Sequence, residues 1–505
     1  MRDHLVFYIN GIRQAVGGHD AGRTLSDYLR MGCGATGANR LTGTKVACAE
    51  GDCGACTVLV GRLTADGRAL EYVPIDACIA FVYQLDRTHI VTVEGIAADG
   101  KLSPVQLAMV TCHGSQCGFC TPGFVMALHG LVETERGADD KRQLADEELR
   151  LGLSGNLCRC TGYAQIMEAG AAIEPGKVVR MKSQFDAAAI VKDLASLRSG
   201  PVHVNPPVAA ESNGRVVESL HEIFLPTTLE ELLAQRAARP KSTLVSGATD
   251  VGVQVNHRKL APMSVITTQS VSELQRLEIV DGELIVGAAV RWAQFAEFIA
   301  DRVPEYKAVL DRFGSPQIRQ MGTLVGNLAN ASPIADSIPF HYVAESTIEL
   351  ASVDGRRKVP IEKFYRGYKQ LDLRPAEVIT AVRTRLPESD AHLKLYKITR
   401  RRDLDISTVT VAFLVEMDNA GGTIRRARIA VGGVGPTVLR LPLSEAALAG
   451  KPFELATMQA AGRLARQEIA PISDVRGSDA FRSQLVENLF QKFYFDCAPQ
   501  PAAVS

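Results

Sequence analysis

Gly43–Thr44–Lys45–Val46–Ala47–Cys48–Ala49–Glu50–Gly51–Asp52–Cys53–Gly54–Ala55–Cys56–Thr57 sets three thiols in one short loop, and Cys78 follows Cys56 after 21 intervening residues. Gly51 and Gly54 permit positive φ in such a loop and leave backbone N–H groups free to point at sulfur. Outward from this stretch the cysteines stay concentrated. Of 11 in 505 residues, ten precede residue 161 and only Cys497 follows. Thiols in a reducing compartment do not form disulfides. The distribution predicts a metal-bearing N-terminal third and a body without ligating cysteines.

The spacing Cys48-x4-Cys53-x2-Cys56 with a distant Cys78 matches the plant-type [2Fe–2S] pattern, in which four thiolates serve two irons. A structural zinc site is the alternative, although zinc knuckles use two C-x2-C pairs and one is present here. Cys117-x2-Cys120 and Cys158-x-Cys160 make a second set of four. Each pair falls where a predicted helix begins or ends, and helix N-termini offer free N–H groups to an anionic centre. Cys33 and Cys112 read as small buried hydrophobes, and Cys497 as a free thiol.

Composition narrows the class. The chain is 46% hydrophobic and 22% charged, with 56 basic and 56 acidic residues. That is globular, and it indicates neither nucleic acid nor a membrane surface as partner. There is no apolar run of membrane-spanning length and no signal-peptide pattern at Met1–Tyr8, so a cytoplasmic protein is expected. Leu5–Ile9 and Ile12–Val16 read as a hairpin turning at Asn10–Gly11, with Thr24–Arg30 a short helix and Cys56–Val60 a strand. Pro104–Cys112, Pro122–Glu135, Glu147–Leu153 and Ile166–Ala172 read as helices. Pattern fades between 177 and 218, where Asn205–Pro206–Pro207 and Ser212–Asn213–Gly214 suggest a linker. Thr228 and Glu231 then form a capping box before a helix through Arg239. Thr243–Val245, Ser264–Thr267, Glu283–Val286, Thr347–Ser352, Ser407–Val415 and Arg425–Val431 read as strands, with two helices after them.

The motif strings also carry a family resemblance. The stretch quoted above, Gln116–Cys117–Gly118–Phe119–Cys120–Thr121–Pro122–Gly123 and Gly155–Asn156–Leu157–Cys158–Arg159–Cys160–Thr161–Gly162–Tyr163 resemble the molybdenum hydroxylases, the family of xanthine dehydrogenase and aldehyde oxidase. The resemblance implies two [2Fe–2S] clusters. One is held by Cys48, Cys53, Cys56 and Cys78 and lies toward a flavin; the other is held by Cys117, Cys120, Cys158 and Cys160 and lies toward molybdenum. It implies that Gln116 meets molybdopterin on a partner subunit, an ordinary surface residue being the bland alternative.

Leu244–Val245–Ser246–Gly247–Ala248–Thr249–Asp250–Val251 is an apolar strand opening into a small-residue turn whose N–H groups can cradle a pyrophosphate. This turn lacks the dinucleotide fingerprint G-x-G-x-x-G, and a plain strand–turn is the alternative. Gly322 to Asp336 is a second stretch dense in small and hydrogen-bonding residues. The pair resembles the family's vanillyl-alcohol-oxidase-like FAD domain. That likeness implies FAD contacts at Leu244–Val251 and at Thr323, Leu324, Val325, Gly326 and Asn327. It further implies Asp336 on the flavin's sugar chain, Phe313 on an aromatic part of FAD, and contacts at Ile379 and Lys397.

The expected architecture is an α+β multidomain chain. It runs as a plant-type ferredoxin β-grasp domain (1–90), an all-helical [2Fe–2S] domain (91–176), a linker (177–218), an FAD domain (219–388) and a C-terminal α+β domain (389–497). The resemblance implies the electron-transfer subunit of the two-subunit xanthine dehydrogenase type. Electrons from purine hydroxylation on a molybdenum-binding large subunit would reach FAD and then NAD⁺, in a heterotetramer. No catalytic residue of substrate oxidation is expected in this chain. Tyr368 and the charged run Arg400–Asp405 match positions near the nicotinamide pocket and the flavin's electrostatics. An aldehyde or another N-heterocycle as substrate, oxygen as acceptor, and a zinc-stabilised binding module stay open.

Overall fold

The computed structural model describes residues 1–32, 40–98, 100–134, 142–197, 200–205, 220, 222–418 and 422–498. Cys33, Glu135 and most of the turn-rich part of the expected linker lie outside them. The chain divides into two compact units. One comprises Met1–Ser272 and Gly314–Gly322, the other Glu273–Phe313 and Thr323–Ser505.

The first unit opens with the expected hairpin. Asn10 and Gly11 have φ of 47° and 81°, the left-handed pair that a two-residue turn between twisted strands requires. Leu5–Ile9 also runs parallel to Thr88–Val91, which pairs with Thr57–Leu63 and through it with Leu70–Asp76. Thr24 caps the helix Leu25–Met31, its Oγ1 accepting from the Asp27 N–H at 3.2 Å. Leu5, Phe7, Tyr28, Val58 and Val60 close the core between helix and sheet.

Four helices follow: Pro104–Thr111, Thr121–Thr134, Asp146–Gly152 and Ala164–Ala172. The first starts at Pro104 behind a Ser103–Gln106 capping box, so its first turn is satisfied before packing begins. Phe124, Leu128, Leu149 and Ile166 are buried among these helices.

The segment 177–218 is not featureless. Helices Met181–Gln184 and Ala187–Ser196 and the strand Val202–Val204 occupy its described part. Asp193 accepts from the Tyr8 hydroxyl at 2.9 Å and from Arg13 Nε at 2.8 Å, tying the second helix to the first hairpin. Ile190 and Leu194, four residues apart, form its buried face. Val202–Val204 joins Glu222–Leu225, Ser264–Thr267 and Thr243–Val245 in a sheet whose last three strands are parallel. The expected capping box forms before Leu229–Ala238, with Thr228 and Glu231 exchanging hydrogen bonds of 3.2 Å.

Besides the two-stranded ribbon of Tyr365–Gly367 and Gln370–Leu371, the described part of the second unit holds two larger antiparallel sheets. One is ordered Leu277–Val280, Glu283–Gly287, Val378–Arg385, Thr347–Ser352, Gly355–Pro360. The other runs His392–Ile398, Val409–Met417, Ile424–Gly432, Leu439–Arg440. Three helices, not two, accompany the latter: Pro442–Leu448, Leu455–Glu468 and Asp479–Cys497. The extra one is a seven-residue helix announced only by its first-turn proline. Phe413 stacks on Phe493 at 4.8 Å and meets the edge of Phe490 at 5.0 Å. Among the described residues no helix is long and apolar enough to cross a membrane.

Candidate cofactor sites

The loop from Cys48 to Cys56 turns through left-handed backbone at Ala49, Gly51 and Gly54, with φ of 57°, 72° and 64°. The Thr57 hydroxyl closes it by donating to the Gly54 carbonyl at 2.7 Å. Cys78 arrives just after the end of Leu70–Asp76, across from the loop. The four sulfurs meet in pairs: Cys48 with Cys53 and Cys78, and Cys56 with Cys78. Shared protons push Cys53 and Cys78 above the ordinary thiol range and draw Cys48 and Cys56 below it. Cys56 and Cys78 are buried, while Cys48 and Cys53 are half-buried.

Two residues outside the motif support this loop. The side-chain amide of Asn256 donates to the carbonyls of Ala49 and Cys78, both at 2.8 Å. Asp76 is fully buried, lies 3.6 Å from Cys56 Sγ, and has its carboxyl held well above the usual range by burial. Neither was foreseen. Asn256 stands 178 residues from Cys78, so no local spacing could reveal the contact.

In the second set Cys117 pairs with Cys160 and Cys120 with Cys158. Burial, and then Cys158, push the Cys120 thiol up to about 12. The Tyr163 hydroxyl accepts from the Cys158 N–H at 3.0 Å, and Tyr163 itself sits at φ 74° before the helix Ala164–Ala172. Cys117, Cys160 and Gln116 are exposed. So are Phe119 and Leu157 beside them. Cys112 packs half-buried against the helical core, and burial raises the half-buried Cys497 to about 11. Among the described residues no three His, Cys, Asp or Glu side chains surround a single metal position. Sulfurs facing one another in pairs suit a binuclear centre with two thiolates per iron.

The expected phosphate turn of the first unit follows the short strand Thr243–Val245, where Leu244 is half-buried and Val245 buried. A Cβ on Gly247 would lie 2.2 Å from the Met321 carbonyl oxygen and 2.6 Å from Gly322 Cα. Glycine is therefore demanded here by close backbone approach, not by a left-handed φ. Ser246 O accepts from Gln84 Nε2 at 3.3 Å. Ala248 takes φ 59° as the N-cap of the helix Thr249–Asn256, whose first turn carries Asp250 and Val251. Gly252 of that helix lies against Ile79, so the same short helix runs from the turn to the segment bearing Cys78.

In the second unit Thr323 caps the helix Leu324–Asn330, its Oγ1 accepting from the Gly326 N–H at 3.0 Å. Leu324 and Val325 point into the core, so that stretch offers backbone more than side chains. Asn327 Oδ1 accepts from Ser337 Oγ at 2.6 Å. Phe313 packs on Trp292 at 4.8 Å, and Ile379 is buried in the middle of the five-stranded sheet. Asp336 and Lys397 form a buried ion pair of 2.6 Å. Tyr368 is exposed, and the Arg400–Asp405 loop is closed by Asp405, which accepts from the N–H groups of Arg400 and Arg401.

Comparison with known proteins fits this geometry. Residues 92–171 match the family described as "[2Fe-2S] binding domain". Residues 218–388 match "FAD binding domain in molybdopterin dehydrogenase", and 394–496 match "CO dehydrogenase flavoprotein C-terminal domain". The chain is 31% identical to a xanthine dehydrogenase of Drosophila subobscura and 30% identical to aldehyde oxidase 1 of Bos taurus. Each alignment takes in 97% of this chain but 39% of the relative, so the chain spans well under half of their length. Among solved structures it is similar to quinoline 2-oxidoreductase from Pseudomonas putida 86, at 28% identity and TM-score 0.51. That match covers 54% of this chain and 95% of the other. A carbon monoxide dehydrogenase from Hydrogenophaga pseudoflava, 24% identical with TM-score 0.51, shares the fold over 54% of this chain and 94% of its own. An oxidoreductase chain with [2Fe–2S]-binding and FAD-binding domains is what sequence and fold define. The chain belongs to the molybdenum hydroxylases, as an iron–sulfur/FAD chain of that family.

Proposed function

We propose that the chain is the electron-transfer subunit of a xanthine dehydrogenase. It takes electrons from purine hydroxylation on a molybdenum-binding partner and delivers them to NAD⁺. Cys48, Cys53, Cys56 and Cys78 hold one [2Fe–2S] cluster, and Cys117, Cys120, Cys158 and Cys160 hold the other. This reading assigns FAD contacts to Leu244–Val251, Thr323–Asn327, Phe313, Asp336, Ile379 and Lys397. Bound clusters and flavin supply the one- and two-electron redox chemistry; the chain binds, orients and shields them. The observation that carries this reading is the gathering of eight thiols into two paired sets within one compact unit. Exposed Gln116 beside exposed Cys117 supports a partner docking at the second set, in a heterotetramer.

A second reading keeps the cofactors and changes the substrate to an aldehyde or another N-heterocycle, with oxygen as a further acceptor. The aldehyde oxidase and quinoline 2-oxidoreductase relatives favour it. The deciding experiment purifies the chain with its native partner. Iron, flavin and molybdenum are assayed, and xanthine, an aldehyde and quinoline are offered with NAD⁺ or oxygen. Xanthine-dependent NADH formation supports the first reading. Turnover of only the other substrates, or only with oxygen, replaces it by the second.

A further inference from the structure

Two backbone segments that carry cysteines of different sets are hydrogen-bonded to each other. The Leu157 N–H donates to the Cys53 carbonyl at 3.0 Å, one residue before Cys158. Around that bond the packing is backbone on backbone. A Cβ on Gly54 would lie 2.3 Å from the Gly155 carbonyl oxygen, and one on Gly123 would lie 2.1 Å from the Gly54 carbonyl oxygen. The seam is therefore built from Gly54, Gly123 and Gly155 at distances no side chain allows.

One side chain from far along the sequence locks it. Gln317 is fully buried, on a one-turn helix that starts at Pro316 and is capped by Ser315. Its Nε2 donates to Thr57 Oγ1 at 3.1 Å, next to Cys56, and to Asn156 Oδ1 at 2.9 Å, two residues before Cys158. Asn156 passes the link on, its Nδ2 donating to the Gly54 carbonyl at 3.0 Å. Gln317 Oε1 is buried without a hydrogen-bond partner and would meet a Gly155 Cβ at 2.1 Å. A leucine of similar size would fill this space with no desolvated acceptor, so the amide is kept for its two donated bonds.

We propose that Gln317 is a positioning residue for both cysteine sets at once: through Thr57 and Asn156 it fixes the Cys53–Leu157 hydrogen bond and the spacing of the two metal centres. Asn256, whose side-chain amide donates to the Ala49 and Cys78 carbonyls, is by contrast a positioning residue for the first set. The inference rests on the proposed cluster ligands, and its test separates the two ideas.

Gln317→Leu, Thr57→Val and Asn256→Leu are prepared in the full chain, loaded with iron, reduced with dithionite and compared with the parent by electron paramagnetic resonance and redox titration. In Gln317→Leu the g values and midpoint potentials of both centres should shift together, with spin–spin broadening between them altered and iron content unchanged. Asn256→Leu should shift one centre only. Thr57→Val removes one recipient of the Gln317 amide together with the Thr57–Gly54 bond that closes the first loop, so if Gln317→Leu does not fold it is read at the second centre. That signal should move in the same sense as in Gln317→Leu by less. Parent values for both centres in an iron-loaded Gln317→Leu, or for the second centre in Thr57→Val if that variant alone folds, overturn the proposal. A parent chain that takes up no iron overturns the cluster assignment beneath it.

Discussion

Lys397 Nζ lies 2.6 Å from Asp336 Oδ2, and the two side chains are only 4% and 8% exposed. The lysine also donates to the Asp405 carbonyl and to Ser407 Oγ, while Ser407 Oγ donates to the other carboxylate oxygen of Asp336 at 2.6 Å. Two residues expected separately as flavin contacts are thus each other's partners. Removing one leaves a charge buried and unpaired, which costs about 3–5 kcal/mol.

Asp336→Ala should therefore lower the stability of the flavin-free protein by that amount, as well as weaken FAD. Denaturant unfolding without FAD is the measurement. A normal midpoint in the apo variant with reduced flavin affinity would assign Asp336 to FAD alone.

Gly247→Ala should cost about 1–3 kcal/mol, because the added methyl has no room against the Met321 carbonyl and the backbone must shift. The shift opens the turn Gly247–Ala248, so flavin occupancy at limiting FAD should fall with it. Unchanged flavin binding and unchanged stability would show that the turn tolerates the displacement.

Cys53→Ser should remove one cluster and spare the other. About four irons per chain, two for each [2Fe–2S] centre, should drop to about two. Colorimetric iron assay and visible absorption decide it. Loss of all iron would mean that the second set depends on the first through the Cys53–Leu157 hydrogen bond.

Acid should weaken the fold through its buried histidines. Burial lowers His89 and His129 to about 4 and His341 to about 3. His341 is held neutral among Ser346, Thr384 and Tyr306. A group whose folded pKa is depressed is protonated first in the unfolded chain. Stability is then present above the unfolded value near 6.5 and is lost as pH falls toward 4 and 3. The slope is about 1.4 kcal/mol per pH unit for each histidine within its window. His341→Phe should flatten the pH dependence of the unfolding midpoint in the second unit; an unchanged slope would show that His341 does not titrate on unfolding.

Much of the local structure was legible because its causes are local. Thr228 caps the helix that follows it, Pro104 opens a helix in its first turn, and Asn10–Gly11 turns its hairpin, since each acts on backbone within four residues. The helix Ala187–Ser196 was missed for the converse reason: its packing partners Tyr8 and Arg13 lie some 180 residues away and only two of its residues are buried.

The sequence alone determined the two cysteine sets, the glycines of their loops and the family to which the strings belong, because ligand spacing and turn chemistry are written within a few residues. Tertiary structure decided everything that depends on chain segments meeting. It brought Gln317 to Thr57 and Asn156, Asn256 to the Cys78 carbonyl, and Asp336 to Lys397. These are hydrogen bonds between groups withdrawn from water. Each must find a partner inside the fold, and which partner it finds is set by close packing across tens to hundreds of residues, a distance over which sequence carries no periodic signal.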